Sequence, residues 1–391
     1  MNTQLTQRMK PSFSGRSSWY PVNCIVSQIS ALFLCSLGFV LLLVQPCTGA
    51  EWQETGSLLT PRYLHTATLL KNGSVLVVGG ANSAALSLSS AEIYDPAKGA
   101  WQTTASMANE RFEHTATRLN DGRVLAIGGY DFDAGHDVGT AELYDPRTRS
   151  WTATGSLLTP RFFHVATLLR NGKVLIAGGH HLFDQLASAE LYDPATGTWS
   201  TTGSMTTVRD FGHTGTLLPN RKVLVAGGYN GSYLASAELY DPAAGTWSAT
   251  GSLSEGRYGH TATLLSSGKV LVAGGYTLRG RTGTAELYDP VTGTWSNTGN
   301  LFVERYEHTA TLLLDGTVLG AGGITDNLLF LKSAESYDPA TGNWSIVARL
   351  NTGRFYHTAT RLRDGTLLVA GGNTPKGAIS SAELYVSDVR K

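Results

Sequence analysis

The sequence predicts an all-β protein made of one short unit repeated seven times, and three observations support that prediction. Glycine makes up 45 of the 391 residues, and charged residues make up only 15%, against about 25% in an ordinary soluble domain. Short apolar runs are separated by turn dipeptides such as Asn72-Gly73 and Asp121-Gly122, which favour tight hairpins because both residues tolerate positive φ. The same motif then returns every 47 to 50 residues, which indicates one repeated supersecondary unit.

Each unit opens with an arginine and a histidine separated by two residues, as in Arg62 and His65. A Gly-Gly pair, an Ala-Glu-x-Tyr segment and a tryptophan follow. The fourth copy, Arg209 and His213, has one extra residue between the pair. The seven histidines of the motif are His65, His114, His164, His213, His260, His308 and His357.

Four strands are predicted in each unit. In the first copy they are His65–Leu70, Val75–Val78, Ala91–Tyr94 and a strand around Trp101. The Asn-Gly turn joins the first two, and Asp95-Pro96 turns the chain toward the fourth, since proline presets φ there. Four antiparallel strands repeated radially form a propeller blade. The predicted fold is therefore a seven-bladed β-propeller over residues 51–391.

The two ends of the repeat region predict how the ring closes. The seventh copy stops at Tyr385 without a tryptophan strand. The segment Glu51–Gly56 has the pattern of Thr198–Gly203, which contains the tryptophan strand of the third copy. We therefore expect the N-terminal strand to supply the outer strand of the last blade, so that no inner strand is left as an open edge.

The Arg-x-x-His opening, the glycine pair, the tyrosine and the tryptophan, at these spacings, resemble the repeats of the Kelch family over residues 51–391. The resemblance implies that the first strand of each blade lies nearest the axis and the tryptophan strand outermost. Kelch-type copper oxidases similar to galactose oxidase use a tyrosine crosslinked to a cysteine. All three cysteines here lie before residue 50, so no such crosslink, no metal and no cofactor is predicted.

The first 50 residues are typical of a secretory signal peptide. Three basic residues precede the apolar stretch 29–44, and small residues at 48–50 resemble a cleavage site. A 16-residue helix spans about 24 Å, short of the ~30 Å hydrocarbon core. The sequence thus predicts a secreted or periplasmic protein with no stable membrane insertion after cleavage. An uncleaved signal-anchor through residues 29–44 is the alternative.

The charge of the body argues against nucleic acid as a partner. Arg8, Lys10 and Arg16 are the only charged residues before position 51. Without these three, 27 basic residues face 30 acidic ones, a net charge of −3. Nucleic-acid binding requires a dense basic surface. We expect a monomer that binds a protein or glycan.

Residues that recur in every blade are interpreted as scaffold, because seven arginines, histidines, glutamates and tyrosines are too many for one site. The recurrent glutamates, such as Glu92, are expected to bind the recurrent arginines or backbone donors, since buried charge requires partners. An aromatic residue stands two positions before every histidine of the motif. Packing between blades and ligand recognition are both open for these aromatics.

Function is expected on the loops in which the blades differ. The loops after the glycine pairs vary most, and the residues that directly follow those pairs are expected closest to the axis. A calcium-like spacing from Asp131 to Glu142 lacks the required glycine at His136. The sequence predicts no catalytic residue and nine candidate ligand-binding residues: Tyr130, Asp131, His180, His181, Tyr229, Tyr233, Tyr276, Arg279 and Arg281.

Three functions are compatible with the sequence. The leading hypothesis is a secreted, non-catalytic Kelch propeller that binds a protein or carbohydrate on these loops. The first alternative is a propeller enzyme acting on a sugar, similar to a sialic acid mutarotase. Its ionisable groups would come from His136, His180, His181, Asp184 or Arg279. The second alternative is a structural envelope or adhesion module.

Overall fold

The computed structural model describes residues 50–325 and 329–387, and these form seven four-stranded antiparallel sheets. The predicted all-β propeller is confirmed. The described residues include no helix that is long and apolar enough to span a membrane. Residues 1–49 lie outside the described residues, so the signal peptide and the anchor through 29–44 stay predictions.

Each blade contains strands A to D in the order of the chain, except that strand D of the seventh blade comes from the N-terminus. The A strands are Thr66–Leu69, Thr115–Arg118, Val165–Leu168, Thr214–Leu217, Thr261–Leu264, Thr309–Leu312 and Thr358–Arg361. The B strands are Val75–Val78, Val124–Ile127, Val174–Ala177, Val223–Ala226, Val270–Ala273, Val318–Ala321 and Leu367–Ala370.

The two outer positions complete the blades. The C strands are Ala91–Asp95, Ala141–Asp145, Ala189–Asp193, Ala237–Asp241, Ala285–Asp289, Ala334–Asp338 and Ala382–Val386. The D strands are Ala100–Thr104, Ser150–Ala153, Thr198–Thr201, Thr246–Thr250, Thr294–Asn297, Asn343–Ile346 and, for the seventh blade, Glu51–Thr55. Each A strand contacts the A strands of both neighbouring blades, which closes a ring around the axis.

The core lies between neighbouring blades. Every residue of each B strand is buried, because both faces of the strand pack against another blade. Leu76 and Val78 of the first blade, for example, join one apolar cluster with Val124 and Ala126 of the second. Complete burial of one such side chain contributes about 1.5–3 kcal/mol, so the blades are held together mainly by these clusters.

The recurrent arginine and glutamate form a buried ion pair in every blade, as predicted. Arg62 Nη2 donates to Glu92 Oε1 at 2.9 Å, and its Nη1 donates to the carbonyl oxygens of Gly79 and Ser90. Glu92 also accepts the backbone N–H groups of Leu59 and Thr60. The pair therefore ties the loop that enters a blade to its B and C strands.

The ring closes as the sequence predicts. Glu51–Thr55 pairs antiparallel with Ala382–Val386, and Trp52 lies opposite Tyr385. The two rings are 5.2 Å apart, as are the corresponding Tyr94 and Trp101 rings at 5.1 Å in the first blade. The indole Nε1 of Trp52 donates to the Ala348 carbonyl oxygen at 2.9 Å, so the strand also binds the sixth blade.

Candidate functional site

One face of the propeller carries all the loops that differ between blades. We call it the loop face. It consists of the loops that join strand D to the next strand A and the loops that join B to C. In four blades the B–C loop forms its own small hairpin, as at Tyr130–Asp131 with His136–Asp137 and at Tyr276–Thr277 with Gly280–Arg281. Single bridges such as Phe112 to Tyr130 join the two loop sets. The opposite face, formed by the A–B and C–D turns, is called the turn face.

Five tyrosines from three neighbouring blades meet on the loop face. Stacked rings lie 5.8 Å apart for Tyr233 and Tyr258 and 5.5 Å apart for Tyr258 and Tyr276. Arg281 lies over Tyr276 and Tyr306, with its Cζ 5.4 and 5.5 Å from the two ring centres. This tyrosine cluster consists of Tyr229, Tyr233, Tyr258, Tyr276 and Tyr306.

The tyrosine cluster is packed rather than free. All five side chains are half-buried, and burial, followed by the neighbouring tyrosines, raises the pKa of Tyr258 to about 12. Because Tyr233, Tyr258 and Tyr276 stack on one another, much of their flat surface is used within the cluster. The structure thus brings together four of the nine predicted residues: Tyr229, Tyr233, Tyr276 and Arg281. Their side chains pack on one another and also leave part of their surface exposed.

The predicted histidines tie three blades together. His181 Nδ1 lies 2.9 Å from the buried Asp137 carboxylate of the second blade, which also accepts the N–H of Leu182. His180 Nδ1 lies 3.1 Å from Asp210 of the fourth blade. Asp210 is the extra residue of the fourth Arg–His motif. His180 Nε2 also contacts the Leu182 carbonyl oxygen at 2.8 Å, so protein groups occupy both of its ring nitrogens.

The other predicted residues lie apart from this pair of contacts. Tyr130 packs against Phe112, Phe132 and Phe162 with ring centres 5.4 to 6.2 Å apart. Asp131 Oδ1 accepts the N–H of Ala134 inside its own hairpin. Arg279 is 90% exposed and lies 3.7 Å from Glu255. Glu142, the last position of the calcium-like spacing, is instead bound by Arg111.

The residues closest to the axis are ones that sequence reasoning missed. They stand between the recurrent aromatic residue and the histidine, and all seven have positive φ, between 51° and 67°. Their backbone groups link neighbouring blades, as in the bond from Glu307 N to the Gly259 carbonyl oxygen at 3.0 Å. The seven residues are Leu64, Glu113, Phe163, Gly212, Gly259, Glu307 and Tyr356.

A cavity of about 320 Å³ opens at this ring of residues. We call it the axial cavity. Glu113, Glu307, Tyr356 and three of the recurrent histidines supply its polar side chains, and none of the residues after the glycine pairs lines it. The expectation that Tyr130, His180, Tyr229 and Tyr276 lie closest to the axis is therefore wrong. Their B–C loops bridge to the aromatic residues of the D–A loops, whose next residue turns inward in front of them.

The two axial glutamates are electrostatically unusual. Burial and the nearby Glu307 carboxylate raise the pKa of Glu113 to about 8. Burial alone raises the pKa of Glu307 to about 7. Non-glycine residues with left-handed backbone cost of order 1–3 kcal/mol and cluster at functional sites. The sequence does contain a sign of this site: the residue between the recurrent aromatic residue and the recurrent histidine differs from blade to blade.

Exposed apolar side chains are concentrated on the loop face. Twelve large apolar side chains are exposed among the described residues, and nine lie in D–A or B–C loops. Phe183 is 97% exposed and Leu278 is 83% exposed. The nine are Leu59, Leu86, Phe132, Leu158, Leu182, Phe183, Leu278, Phe302 and Leu329. Large exposed apolar surfaces with polar neighbours mark interaction sites on soluble proteins.

Comparison with known proteins identifies a repeated motif and a fold. The Kelch motif model matches residues 62–108, 114–158, 212–254 and 257–301. No curated protein matches the chain in sequence. A solved structure of a fungal alcohol oxidase of the AA5 family, in complex with copper, is similar with a TM-score of 0.71 at 18% identity, covering 87% of this chain and 77% of that one.

At that identity the likeness to the oxidase shows the fold alone. Within the described ranges, no group of three or more histidine, cysteine, aspartate or glutamate residues is arranged to hold a metal ion. The motif matches cover four of the blades, and the other three have the same four strands in the same register. The chain therefore carries Kelch motifs in four of its seven blades and folds as a seven-bladed β-propeller.

Proposed function

We propose that this Kelch propeller is a non-catalytic binding scaffold whose loop face holds a partner protein. The observation that carries the proposal is the concentration of exposed apolar side chains on that face, above all Phe183 and Leu278. A sugar is usually bound by polar side chains that contact its hydroxyl groups and by exposed faces of aromatic rings. In the tyrosine cluster the ring faces are stacked on each other and are not free for a sugar, which favours a protein over a glycan.

Charge adds a second property of the partner. Glu110, Asp131 and Asp133 lie close together over the second blade, and burial together with these two aspartates raises the pKa of Glu110. Glu113 and Glu307 add two more acids at the axis. A partner with apolar and basic side chains would therefore match the loop face, since complementary charge gives an interface its orientation. The signal peptide predicted in residues 1–50 would direct export, so we propose that the partner is met outside the cytoplasm.

The test compares three single variants of the full-length protein. Each is immobilised and exposed to proteins secreted by the native host, and bound proteins are crosslinked and identified. Phe183→Ser and Leu278→Ser should each lose most of the protein captured by the wild type. Leu314→Ser is the matched control, because Leu314 is 65% exposed but lies in an A–B turn on the turn face.

The crosslinks locate the bound surface independently of the variants. We expect crosslinks from the captured protein to the B–C loops of the second, third and fifth blades. Equal capture by all three variants, or crosslinks confined to the turn face, would contradict the proposal. Loss of capture on adding free glycans, with both loop variants unaffected, would instead show that carbohydrate is the ligand.

One contact favours the enzyme alternative as a second candidate. Asp137 fixes Nδ1 of His181 at 2.9 Å, and His181 is partly exposed to solvent. A carboxylate that orients an imidazole leaves the other ring nitrogen available as a general base. If the protein acts on a sugar, His181→Ala should abolish turnover seen by NMR with a panel of free sugars, while Arg279→Ala should only weaken it.

A further inference from the structure

The axial cavity contains two acidic groups that pair with no basic side chain of the described residues. Elsewhere in the fold, each deeply buried glutamate is bound by an arginine of its own blade, as in Arg111 with Glu142 and Arg305 with Glu335. Neither Glu113 nor Glu307 makes a side-chain hydrogen bond or ion pair with any residue in 50–325 or 329–387. Because charge without a partner is costly in such a site, these half-buried carboxyls hold protons near neutral pH unless a ligand supplies a counter-charge.

The walls of the cavity add aromatic surface but no positive charge. Phe163, Phe211 and Tyr356 line it. His114, His164 and His213 also line it, and each is more than nine-tenths buried. Burial, followed by the charge of Arg161, lowers the pKa of His164 to about 3, and burial likewise lowers that of His213 to about 4. These imidazoles are therefore neutral at physiological pH.

Gly259 leaves the Glu307 carboxylate its position in the cavity. A Cβ atom on Gly259 would lie 2.7 Å from Oε1 of Glu307, so a side chain there would require the carboxylate to move. The Nδ1 atoms of His114, His164 and His213 have no hydrogen-bond partner, but the same is true of the other four recurrent histidines. These atoms therefore belong to the repeated scaffold and do not mark the cavity.

We propose that the axial cavity binds a cationic group, an ammonium or guanidinium, between the carboxylates of Glu113 and Glu307 and against the rings of Phe163 and Tyr356. The inference rests on the proposed function in one respect: the partner protein supplies the cationic group as a lysine or arginine side chain. Charged hydrogen bonds to carboxylates are the strong ones, and a cation over an aromatic face gains further attraction. A cavity of about 320 Å³ holds one such side chain.

Entry of the cation has a consequence that can be measured. Without a cation between them, the two carboxyls hold protons near neutral pH, because both pKa values are raised. A cation between the carboxylates favours their charged forms, so the pair releases protons as the cation binds. The groups that face the pair are Tyr356 and the neutral His114, His164 and His213, with Tyr258 and Tyr306 near Glu307. None of these supplies a competing positive charge.

The test uses small probes and no partner protein. Nα-acetyl-lysine methylamide and Nα-acetyl-argininamide are titrated into the full-length protein at pH 7 by calorimetry, in two buffers of different ionisation enthalpy. The neutral Nα-acetyl-norleucine methylamide is the control ligand. We expect at least one cationic probe to bind with proton release, and the neutral probe to bind at least tenfold more weakly.

Variants assign the binding to the cavity. Glu113→Gln and Glu307→Gln should each weaken the cationic probe about tenfold, and the double variant should lose both the binding and the proton release. Glu304→Gln is the matched control, because Glu304 is exposed on the same loop as Glu307. The double variant should melt at a higher temperature than the wild type at pH 8.5, since carboxyls whose pKa is raised by folding destabilise the fold once they ionise.

Two results would overturn the inference: no binding of either cationic probe at 20 mM, or undiminished binding by the folded double variant. These outcomes are separate from those of the partner experiment. Probe binding that depends on both glutamates, together with capture that is unaffected by Phe183→Ser, would leave the axial site standing and remove the proposed partner surface.

Discussion

The recurrent histidines are links between blades. His164 Nε2 lies 2.8 Å from the Thr115 hydroxyl of the preceding blade, and His65 Nε2 reaches Thr358 across the closure of the ring at 3.1 Å. All seven side chains are at least 94% buried. Burial is the main cause that lowers the pKa of each one. These histidines are neutral in the folded protein and gain protons only when the chain unfolds.

We predict that the protein loses stability steeply as the pH falls from 6.5 to 5. In the unfolded chain a histidine gains its proton near pH 6.5, whereas in the fold His164 gains it only near pH 3. The unfolded state thus binds more protons in this range. The free energy of unfolding therefore decreases as the pH decreases, by at most about 1.4 kcal/mol per histidine per pH unit. Urea unfolding at pH 7, 6 and 5 measures the slope.

The pH window separates the histidines from Asp145, whereas Glu113 and Glu307, with pKa values raised to about 8 and about 7, offset part of the histidine slope in this window. Hydrogen bonds from Arg147 lower the pKa of Asp145 to about 2, so its contribution is lost only below about pH 4. His136→Asn is the control, because His136 is exposed in a B–C loop, and it should leave the slope unchanged. A free energy of unfolding that stays constant from pH 7 to 5 would contradict this account.

At the scale of the strand, one blade departs from the pattern of inter-blade contacts. In every blade except the third, strand A begins with a threonine whose hydroxyl meets the histidine of the next blade. The third begins with Val165, and there His213 Nε2 turns to the Ala177 carbonyl oxygen at 3.3 Å. Gly215 lies beside Val165, and a Cβ atom added to Gly215 would lie 3.1 Å from the Cβ atom of Val165.

Replacing Val165 by threonine should stabilise the propeller. The side chain keeps its shape and adds a hydroxyl within reach of His213, and one net hydrogen bond is worth about 0.5–1.5 kcal/mol. The reverse change, Thr115→Val, should cost about 1–3 kcal/mol, because it leaves His164 Nε2 buried without a partner. Urea unfolding of both variants at pH 7.5 measures the two effects. A Val165→Thr protein that is less stable than the wild type would show that the valine packs against Gly215 for a reason of its own.

Elements of this fold are predictable where their chemistry repeats. Val75–Val78 is a run of apolar residues between a turn dipeptide and a glycine pair, and each blade repeats it, so the B strands followed from the sequence. The Arg62–Glu92 pair followed from the need to neutralise buried charge. The half-buried state of Tyr229 and Tyr276 did not follow, because it depends on rings from neighbouring blades that meet only when the propeller is complete.

At the scale of the whole molecule, the axial cavity exists only because seven loops converge. Glu113 and Glu307 are 194 positions apart in the printed sequence, and no motif links them. Periodicity places them at equivalent positions, and the left-handed backbone turns both toward the axis. The sequence could indicate that this position varies, but not that two of its seven occupants share a cavity.

Removing the closing strand should destabilise the whole ring. Deletion of residues 51–56 removes the partner of Ala382–Val386 and the contact of Trp52 with Tyr385. It also removes the Thr55 hydroxyl, which bonds Tyr94 of the first blade at 2.7 Å. We expect a lower melting temperature and aggregation through the exposed edge, measured by calorimetry and light scattering.

Trp52→Ala is the milder companion of that deletion. Loss of a packed tryptophan costs about 3–5 kcal/mol, while the backbone pairing of the strand remains. This variant should melt early but stay monomeric, whereas the deleted protein should melt early and aggregate. A deletion variant as stable and monomeric as the full chain would refute closure by this strand.

Closure also sets an order of events during synthesis. Glu51–Thr55 is the first strand of the propeller to be made, and its partner Ala382–Val386 is the last. At about 5–20 residues per second, the first strand waits roughly 15–65 s for that partner. A polypeptide that ends between residues 371 and 381 leaves the first strand without its partner, and leaves Leu367–Ala370 paired on one side only, with Thr358–Arg361. The N-terminal strand is therefore paired only after the last strand of the propeller has been made, so a truncated chain exposes an unpaired strand at its N-terminus.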